Sequence, residues 1–234
     1  MRHLKIAVLL AATLLAACST RSISNVGGSG YGGRNDFYRG ELTEDDLIGH
    51  PAAAVTEADI AAALKTATPP VPRRSQPLLV IQSGAMAPDP EMVEALKRRQ
   101  FTAVPFGGQP PKEGEDSYGL RLRLMAAKGG YRQVLCYWGA LESATRDHAT
   151  KLVSWVPIVG AIVPDETQQM RIVLKGMLID VESGRWRLYR PDPVDDTALS
   201  ASINRSSSDQ DQIIKLKTAG YQALADALGD SAAP

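Results

Sequence analysis

The chain has 234 residues, of which 44% are hydrophobic and 22% charged, and its 26 basic and 26 acidic residues give a formal net charge of +0. This composition is typical of a globular protein with a sizeable core, and it excludes collagen-like, mucin-like and wholly disordered chains, which need a stronger bias. Nucleic acid is not an expected partner, because neutralising its phosphates requires an excess of basic residues.

The first 17 residues have the pattern of a secretion signal. Arg2 and Lys5 precede a run without charge, residues 6–17. As a helix this run spans about 18 Å, which is too short for a ~30 Å hydrocarbon core but suits the apolar part of a signal peptide. A buried core helix is a weaker interpretation, because the run offers no polar face.

The run ends in Leu15-Ala16-Ala17-Cys18, which resembles the bacterial lipobox. The resemblance implies cleavage before Cys18 by signal peptidase II and acylation of that cysteine, palmitate included. Several acyl chains hold a protein firmly on a membrane. Ser19 stands where an aspartate usually retains such lipoproteins in the inner membrane, so the resemblance also implies the periplasmic face of the outer membrane.

Residues 18–40 comprise the lipidated cysteine and a predicted flexible tether. This stretch lacks apolar periodicity and is rich in glycine and serine. About 20 such residues would place a folded body roughly 25 Å from the anchor. Reach toward a partner and simple clearance from the lipid surface are both compatible with it.

Two helix starts follow in residues 41–76, which we interpret as a helical N-terminal extension. Thr43 and Thr56 each precede acidic residues, as N-caps do. Prolines at 69, 70, 72 and 77 then separate this extension from residues 77–229, with 230–234 left as a tail.

Residues 77–229 alternate between strand and helix patterns and predict one α/β domain. The expected elements are strands at 78–81, 101–106, 131–141, 168–181 and 186–190, and helices at 90–99, 117–128 and 209–228. Pro105 predicts an edge position for the second strand, and the last two strands form a hairpin. The fold class is therefore a mixed sheet of about five strands with helices packed on it.

Two short stretches of this region carry a family resemblance. Residues 126–131 (AAKGGY) and 177–184 (MLIDVESG) are similar to the helix-to-strand and strand-to-turn junctions of a periplasmic α/β fold. That fold is shared by the TolB N-terminal region, the curli-secretion lipoprotein and the lipoprotein activators of penicillin-binding proteins. The stretch 155–160 (WVPIVG) also resembles uncharacterised proteobacterial lipoproteins.

Residues suited to catalysis are few, and we predict no catalytic residue, metal site or cofactor. After cleavage only His50 and His148 remain as histidines, and no nucleophile elbow or metal-ligand motif accompanies them. Cys136 lies in an apolar run, which predicts a buried structural thiol. Ser83-Gly84 follows the first strand where an anion-binding turn would lie, although no basic residue is near in sequence.

The apolar segment 152–164 (LVSWVPIVGAIVP) leaves two interpretations open. It is either a hairpin arm packed into the core or an exposed contact for a partner protein or the lipid surface. On the second interpretation Trp155, Ile158, Val159 and Ile162 make the contact.

A basic strip is predicted on the last strands, from Arg171 and Lys175 to Arg185, Arg187 and Arg190. It suits either an acidic partner or simple solvation.

Together these patterns predict a non-enzymatic, lipid-anchored periplasmic protein that binds, regulates or scaffolds an envelope component. An assembling secretion or transport component, implied by the curli resemblance, is the alternative. An envelope hydrolase using His148 is a third hypothesis.

Overall fold

The computed structural model describes residues 22–25, 38–49, 55–66, 68–110, 118–146, 153–157, 169–196 and 209–232. Its helices are α1 (Glu44–Ile48), α2 (Glu57–Thr66), α3 (Pro90–Arg98), α4 (Tyr118–Lys128) and α5 (Asp209–Asp230). Its strands are β1 (Leu78–Gln82), β2 (Ala103–Phe106), β3 (Gln133–Arg146), β4 (Val153–Pro157), β5 (Met170–Asp180), β6 (Trp186–Tyr189) and β7 (Val194–Asp195).

The strands form one mixed sheet in the order β2-β1-β3-β5-β6. β1 is parallel to both of its neighbours, β2 and β3, while β5 is antiparallel to β3 and β6. Two short strands extend the sheet near the carboxyl end of β3. There β4 pairs with the second half of β3, and β7 pairs with the start of β5.

Helices cover both faces of the sheet. On one face, Val80, Leu135 and Leu178 lie in a buried cluster with Leu96 of α3 and Leu224 of α5. On the other face, the strand residues that alternate with these along each strand lie in a second buried cluster with residues of α1 and α4. The resulting three-layer arrangement follows from the two-residue period of the strands, which sends neighbouring side chains to opposite faces.

Local sequence explains where the helices begin and end. Thr43 caps α1 in a reciprocal capping box: its Oγ1 accepts from the Asp46 N–H at 3.0 Å, and its own N–H donates to Asp46 Oδ2 at 2.7 Å. Pro90 occupies the first turn of α3. α4 ends before Gly130, whose φ of +80° suits glycine.

The predicted fold class is confirmed, and so are the edge position of β2 and the hairpin of β5 and β6. β4 and β7 add to the five predicted strands; both are short, and β4 lies in the segment whose interpretation was left open. Ile60 and Leu64 share a face of α2, and both side chains are exposed.

Candidate functional site

The carboxyl end of β1 is the place where this topology favours a binding site. From β1 the chain passes through α3 on one face to β2, and then through α4 on the other face to β3. At this end of the sheet the two connections therefore lead to opposite faces, and a crevice lies between them. Open α/β sheets bind their ligands in such crevices.

In this protein the crevice is occupied by residues 22–25 of the same chain. Ser22 forms an antiparallel bridge with Ala140 of β3, and the Ile23 N–H donates to the Gly139 carbonyl at 3.0 Å. Ile23 is only 1% exposed and belongs to the core cluster under α3 and α5. The prediction of a flexible tether is therefore wrong for these four residues, while residues 26–37 lie outside the described part of the chain.

Gly139 makes room for the Ile23 side chain. A Cβ at position 139 would lie 2.8 Å from Ile23 Cγ2 and 2.4 Å from Leu174 Cδ2, both closer than side-chain atoms approach. The glycine thus leaves a depression in β3 that the isoleucine fills. A single apolar residue in a glycine- and serine-rich stretch gave no periodic signal for this contact.

Gln82, the last residue of β1, connects the docked segment to the sheet. Its side-chain amide donates to Ser24 Oγ at 3.0 Å. Its Oε1 accepts from the Tyr137 hydroxyl at 2.6 Å and from the Asp89 N–H at 2.8 Å. Every polar group of this buried glutamine therefore has a partner within the chain, as burial requires.

A second group of contacts ties α5 to the same place. Lys217 Nζ forms an ion pair with Asp89 and donates to the Ile23 carbonyl at 3.2 Å. The Tyr221 hydroxyl donates to Asp89 Oδ2 at 2.5 Å. Burial and the neighbouring Tyr137 and Asp89 raise the pKa of Tyr221 well above its ordinary value, so this hydroxyl keeps its proton.

Glu41 lies on the other side of the docked segment. Its Oε1 accepts hydrogen bonds from Ser22 Oγ and from the Tyr38 hydroxyl, while Oε2 is buried without a hydrogen-bond partner among the described residues. Burial, only partly offset by these hydrogen bonds, raises the pKa of Glu41 above its ordinary value of 4.5. Gly84 lies at the border of this side. Its φ of +76° favours glycine, and the nearby Tyr38 ring leaves no space for a Cβ.

Ser83 does not form the anion-binding turn that its position suggested. Its Oγ accepts from the Leu42 N–H at 2.7 Å, its N–H donates to the Tyr137 carbonyl, and its own carbonyl accepts from Ser24 Oγ. Its ionisable neighbour on this side is the acid Glu41. The turn therefore bonds to the protein's own backbone.

The polar groups of the crevice bond mainly within the chain. The hydroxyls of Ser24 and Ser83 bond to backbone groups, Ser22 Oγ donates to the Glu41 carboxylate, and the Lys217 cation is paired with Asp89. Within the described residues, no cluster of three or more histidine, cysteine, aspartate or glutamate side chains is arranged to hold a metal ion. The arrangement holds a peptide segment in place.

Comparison with known proteins gives the family. The model of the YafT bacterial lipoprotein family matches residues 43–231, most of the chain. This chain belongs to that family. It is therefore a lipid-anchored protein of the bacterial envelope, and the docked segment precedes the matched range.

The similarity of this lipoprotein to curated proteins and solved structures is weak or absent. No curated protein matches it. Two structures of the PelC dodecamer from Paraburkholderia phytofirmans are similar at 13% sequence identity and a TM-score of 0.34. One of them, a form with a single leucine-to-methionine substitution, aligns over 68% of this chain and 94% of its own, and the second form over 72% and 96%. Similarity at this level supports no inference about function.

Most of the predicted site residues of the lipoprotein lie outside the described ranges. These are Cys18, Ile158, Val159 and Ile162, and the two histidines His50 and His148 lie outside those ranges as well. Trp155 lies in β4, whose backbone pairs it with Ala144 of β3, but its side chain is not among those described. The described helices include none that is long and apolar enough to cross a membrane.

Cys136 is a fully buried free thiol, as predicted. Burial, together with the nearby Glu41 carboxylate, raises the pKa of this thiol well above its ordinary value. A protonated thiol without solvent access is inert.

The predicted basic strip is not one surface. Arg171 pairs with Glu142, and Lys175 lies 2.8 Å from Glu44, whose carboxylate thereby has a lowered pKa. Arg187 lies over the Tyr189 ring on the opposite face. The register of the hairpin, which the sequence does not reveal, separates Arg187 from Arg171 and Lys175, whereas Arg190 lies 3.8 Å from the same Glu44 carboxylate as Lys175.

Proposed function

We propose that this lipoprotein is a non-catalytic binding or regulatory protein, anchored through Cys18 to the periplasmic face of the outer membrane. The observation that carries the non-catalytic part is the occupied crevice. Where α/β domains hold small molecules, this chain holds its own residues 22–25, to which Gln82 and Lys217 donate hydrogen bonds. A substrate would have to displace that segment.

The anchor is supported by the lipobox resemblance at Leu15–Cys18 and by membership of a lipoprotein family. Ser19 in place of aspartate favours the outer membrane. The partner is an envelope protein, for which the apolar residues Trp155, Ile158, Val159 and Ile162 are the candidate contact.

Fractionation of bacterial membranes on a density gradient tests the anchor and its destination. We expect the wild-type chain in the outer-membrane fraction with incorporated palmitate, and Cys18→Ser without palmitate and absent from the outer-membrane fraction. Ser19→Asp is the matched variant, since it keeps the acylated cysteine and alters only the sorting residue; it should move the protein to the inner membrane. Palmitate incorporation into Cys18→Ser would show that the anchor is elsewhere.

Crosslinking in the periplasm tests the partner. A photoreactive residue at Ile158 should capture one envelope protein, and Trp155→Ser should reduce that capture without lowering the melting temperature. Loss of folding in Trp155→Ser would instead place this segment in the core.

The two alternatives predict different results. An assembling component, which the resemblance of residues 126–131 and 177–184 would favour, gives a closed oligomer by mass photometry. A hydrolase gives an activity towards envelope substrates that His148→Ala abolishes, and such an activity would overturn the non-catalytic assignment.

A further inference from the structure

The docked segment lies very close in sequence to the proposed anchor. Ser22 follows Cys18 by four residues, and four residues of fully extended chain span at most about 14 Å. A free tether as far as residue 40 would allow several times that distance. Since Ser22 and Ile23 are buried in the domain, the lipid and the body are connected by this short stretch alone.

The direction of the connection is also defined. Because Ser22 and Ala140 form an antiparallel bridge, the backbone at Ser22 points, on its N-terminal side, in the direction in which β3 runs. β3 continues past Ala140 to Arg146, paired there with β4 over residues 142–146. These six residues extend about 20 Å. The anchor reaches at most about 14 Å from Ser22, so the end of β3 lies at least as far in this direction as the anchor does.

We infer that residues 22–25 are a fixed mooring that holds the β3–β4 end of the sheet against the lipid surface. This inference rests on the proposed lipidation of Cys18 and adds an orientation to it. β4 belongs to the apolar segment 152–164 and is the apolar strand at this end, while residues 142–146 of β3 beside it are polar or small. The lipid bilayer is therefore the partner that the β3–β4 end of the sheet contacts.

The same orientation places the opposite end of the sheet away from the bilayer. The opposite end of the sheet, where β1 and β3 begin, carries the exposed cations Lys97, Arg98, Lys128, Arg132 and Arg185. A mooring at Ser22 directs these cations into the periplasm, away from the surface that holds the acyl chains.

Depth-dependent quenching on vesicles tests the mooring. The full mature lipoprotein, acylated in bacteria, is placed on phosphatidylethanolamine–phosphatidylglycerol vesicles that carry a nitroxide on the headgroup. Met86→Cys, in the loop after β1, and Met125→Cys, in the last turn of α4, each take one fluorophore, since Cys136 is buried and Cys18 acylated. The two methionines are 63% and 42% exposed, so the pair is matched in chemistry and differs in the end of the sheet.

We expect the probe at position 86 to be quenched several-fold more strongly than the probe at 125. A ten-residue Gly-Ser insertion between Thr20 and Arg21 lengthens the chain ahead of the mooring and should remove the difference. The same insertion between Gly28 and Ser29 lies behind the mooring and should leave the difference intact. A flexible tether predicts that both insertions act alike.

Equal quenching at the two positions, or the same effect of both insertions, would overturn the mooring while the protein stays on the vesicles. Failure of the wild-type chain to bind the vesicles, or binding by Cys18→Ser equal to wild type, would instead overturn the anchor, and the mooring with it.

Discussion

At the carboxyl end of β1, Gln82, Ser83 and Lys217 are buried, and each is bonded to a distant part of the chain. At the opposite end, Arg132 and Lys128 are exposed to solvent. The two ends thus use polar side chains for different purposes. A buried network tolerates only one arrangement, because any unpaired member loses its solvation, whereas exposed charges impose little on the fold.

The far end nevertheless holds two arginines in defined positions. Arg74 donates to the carbonyls of Arg99 and Gly229, near the last turns of α3 and α5, and Arg123 donates to the Val181 carbonyl. Cations at helix C-termini offset the partial negative charge of the helix dipole. Here the polar side chains bond to the ends of helices and a strand. At the carboxyl end of β1 they instead hold the docked segment, residues 22–25, in position.

Replacement of the docked Ile23 should change the free energy of unfolding more than any substitution at the opposite end of the sheet. Ile23→Ala removes a fully buried side chain from the core and should lower the free energy of unfolding by about 3 kcal/mol. Urea unfolding of the chain from residue 19 onward measures this. Ile60→Ala on exposed α2 is the control and should change it little; equal effects would show that residue 23 is not packed.

Removal of the buried cation should have the next largest effect. Lys217→Met leaves Asp89 without its ion pair and the Ile23 carbonyl without its donor, at a cost of about 2 kcal/mol. Combining it with Asp89→Asn should restore part of the loss, because no uncompensated charge then remains buried. A double-mutant cycle measures the coupling, and strictly additive losses would contradict the pairing.

Acid sensitivity should differ between the ends. Burial raises the pKa of Glu41, so the folded chain retains a proton that the unfolded chain releases above about pH 4.5. Stability should therefore fall as pH rises through this window, by at most about 1.4 kcal/mol per pH unit for one group. Chemical unfolding from pH 4 to 8 should show that Glu41→Gln flattens this slope.

Asp180 at the far end gives the opposite sign. Burial there raises the pKa, but hydrogen bonds from Ser183 and the charges of Arg73 and Arg123 outweigh it and lower the pKa below 3.8. Its contribution is present above pH 3.8 and is lost as pH falls. Asp180→Asn should therefore leave the slope above pH 4.5 unchanged, and an effect of Asp180→Asn there would contradict the assignment to Glu41.

The exposed ion pair at the far end should matter least. Arg132 and Glu182 lie 3.6 Å apart and are both well exposed. Arg132→Ala should lower the unfolding free energy by less than about 0.5 kcal/mol, with a dependence on salt. Thermal unfolding at low and high ionic strength checks this, and a loss as large as that of Lys217→Met would contradict the contrast between the ends.

The elements of this fold could be predicted from the sequence because their signals are local. The apolar run at 78–81, Pro105 in β2 and the capping box at Thr43 each specify structure within a few residues. The candidate site could not be predicted in the same way. Ile23 and Gly139 meet across more than 100 residues, and the hairpin register that separates Arg187 from Lys175 appears only once the strands are paired.

The depression at Gly139 has a mechanical consequence. Tension on the acyl end of the chain would act first on Ser22 and then on the bond between Ile23 and Gly139 and the hydrogen bonds of Ser24, rather than on the sheet. If residues 22–25 are released together, the chain from Asn25 to Tyr38 can lengthen to at most about 47 Å. Release of this segment would thus extend the body's reach from the membrane and leave the paired strands in place.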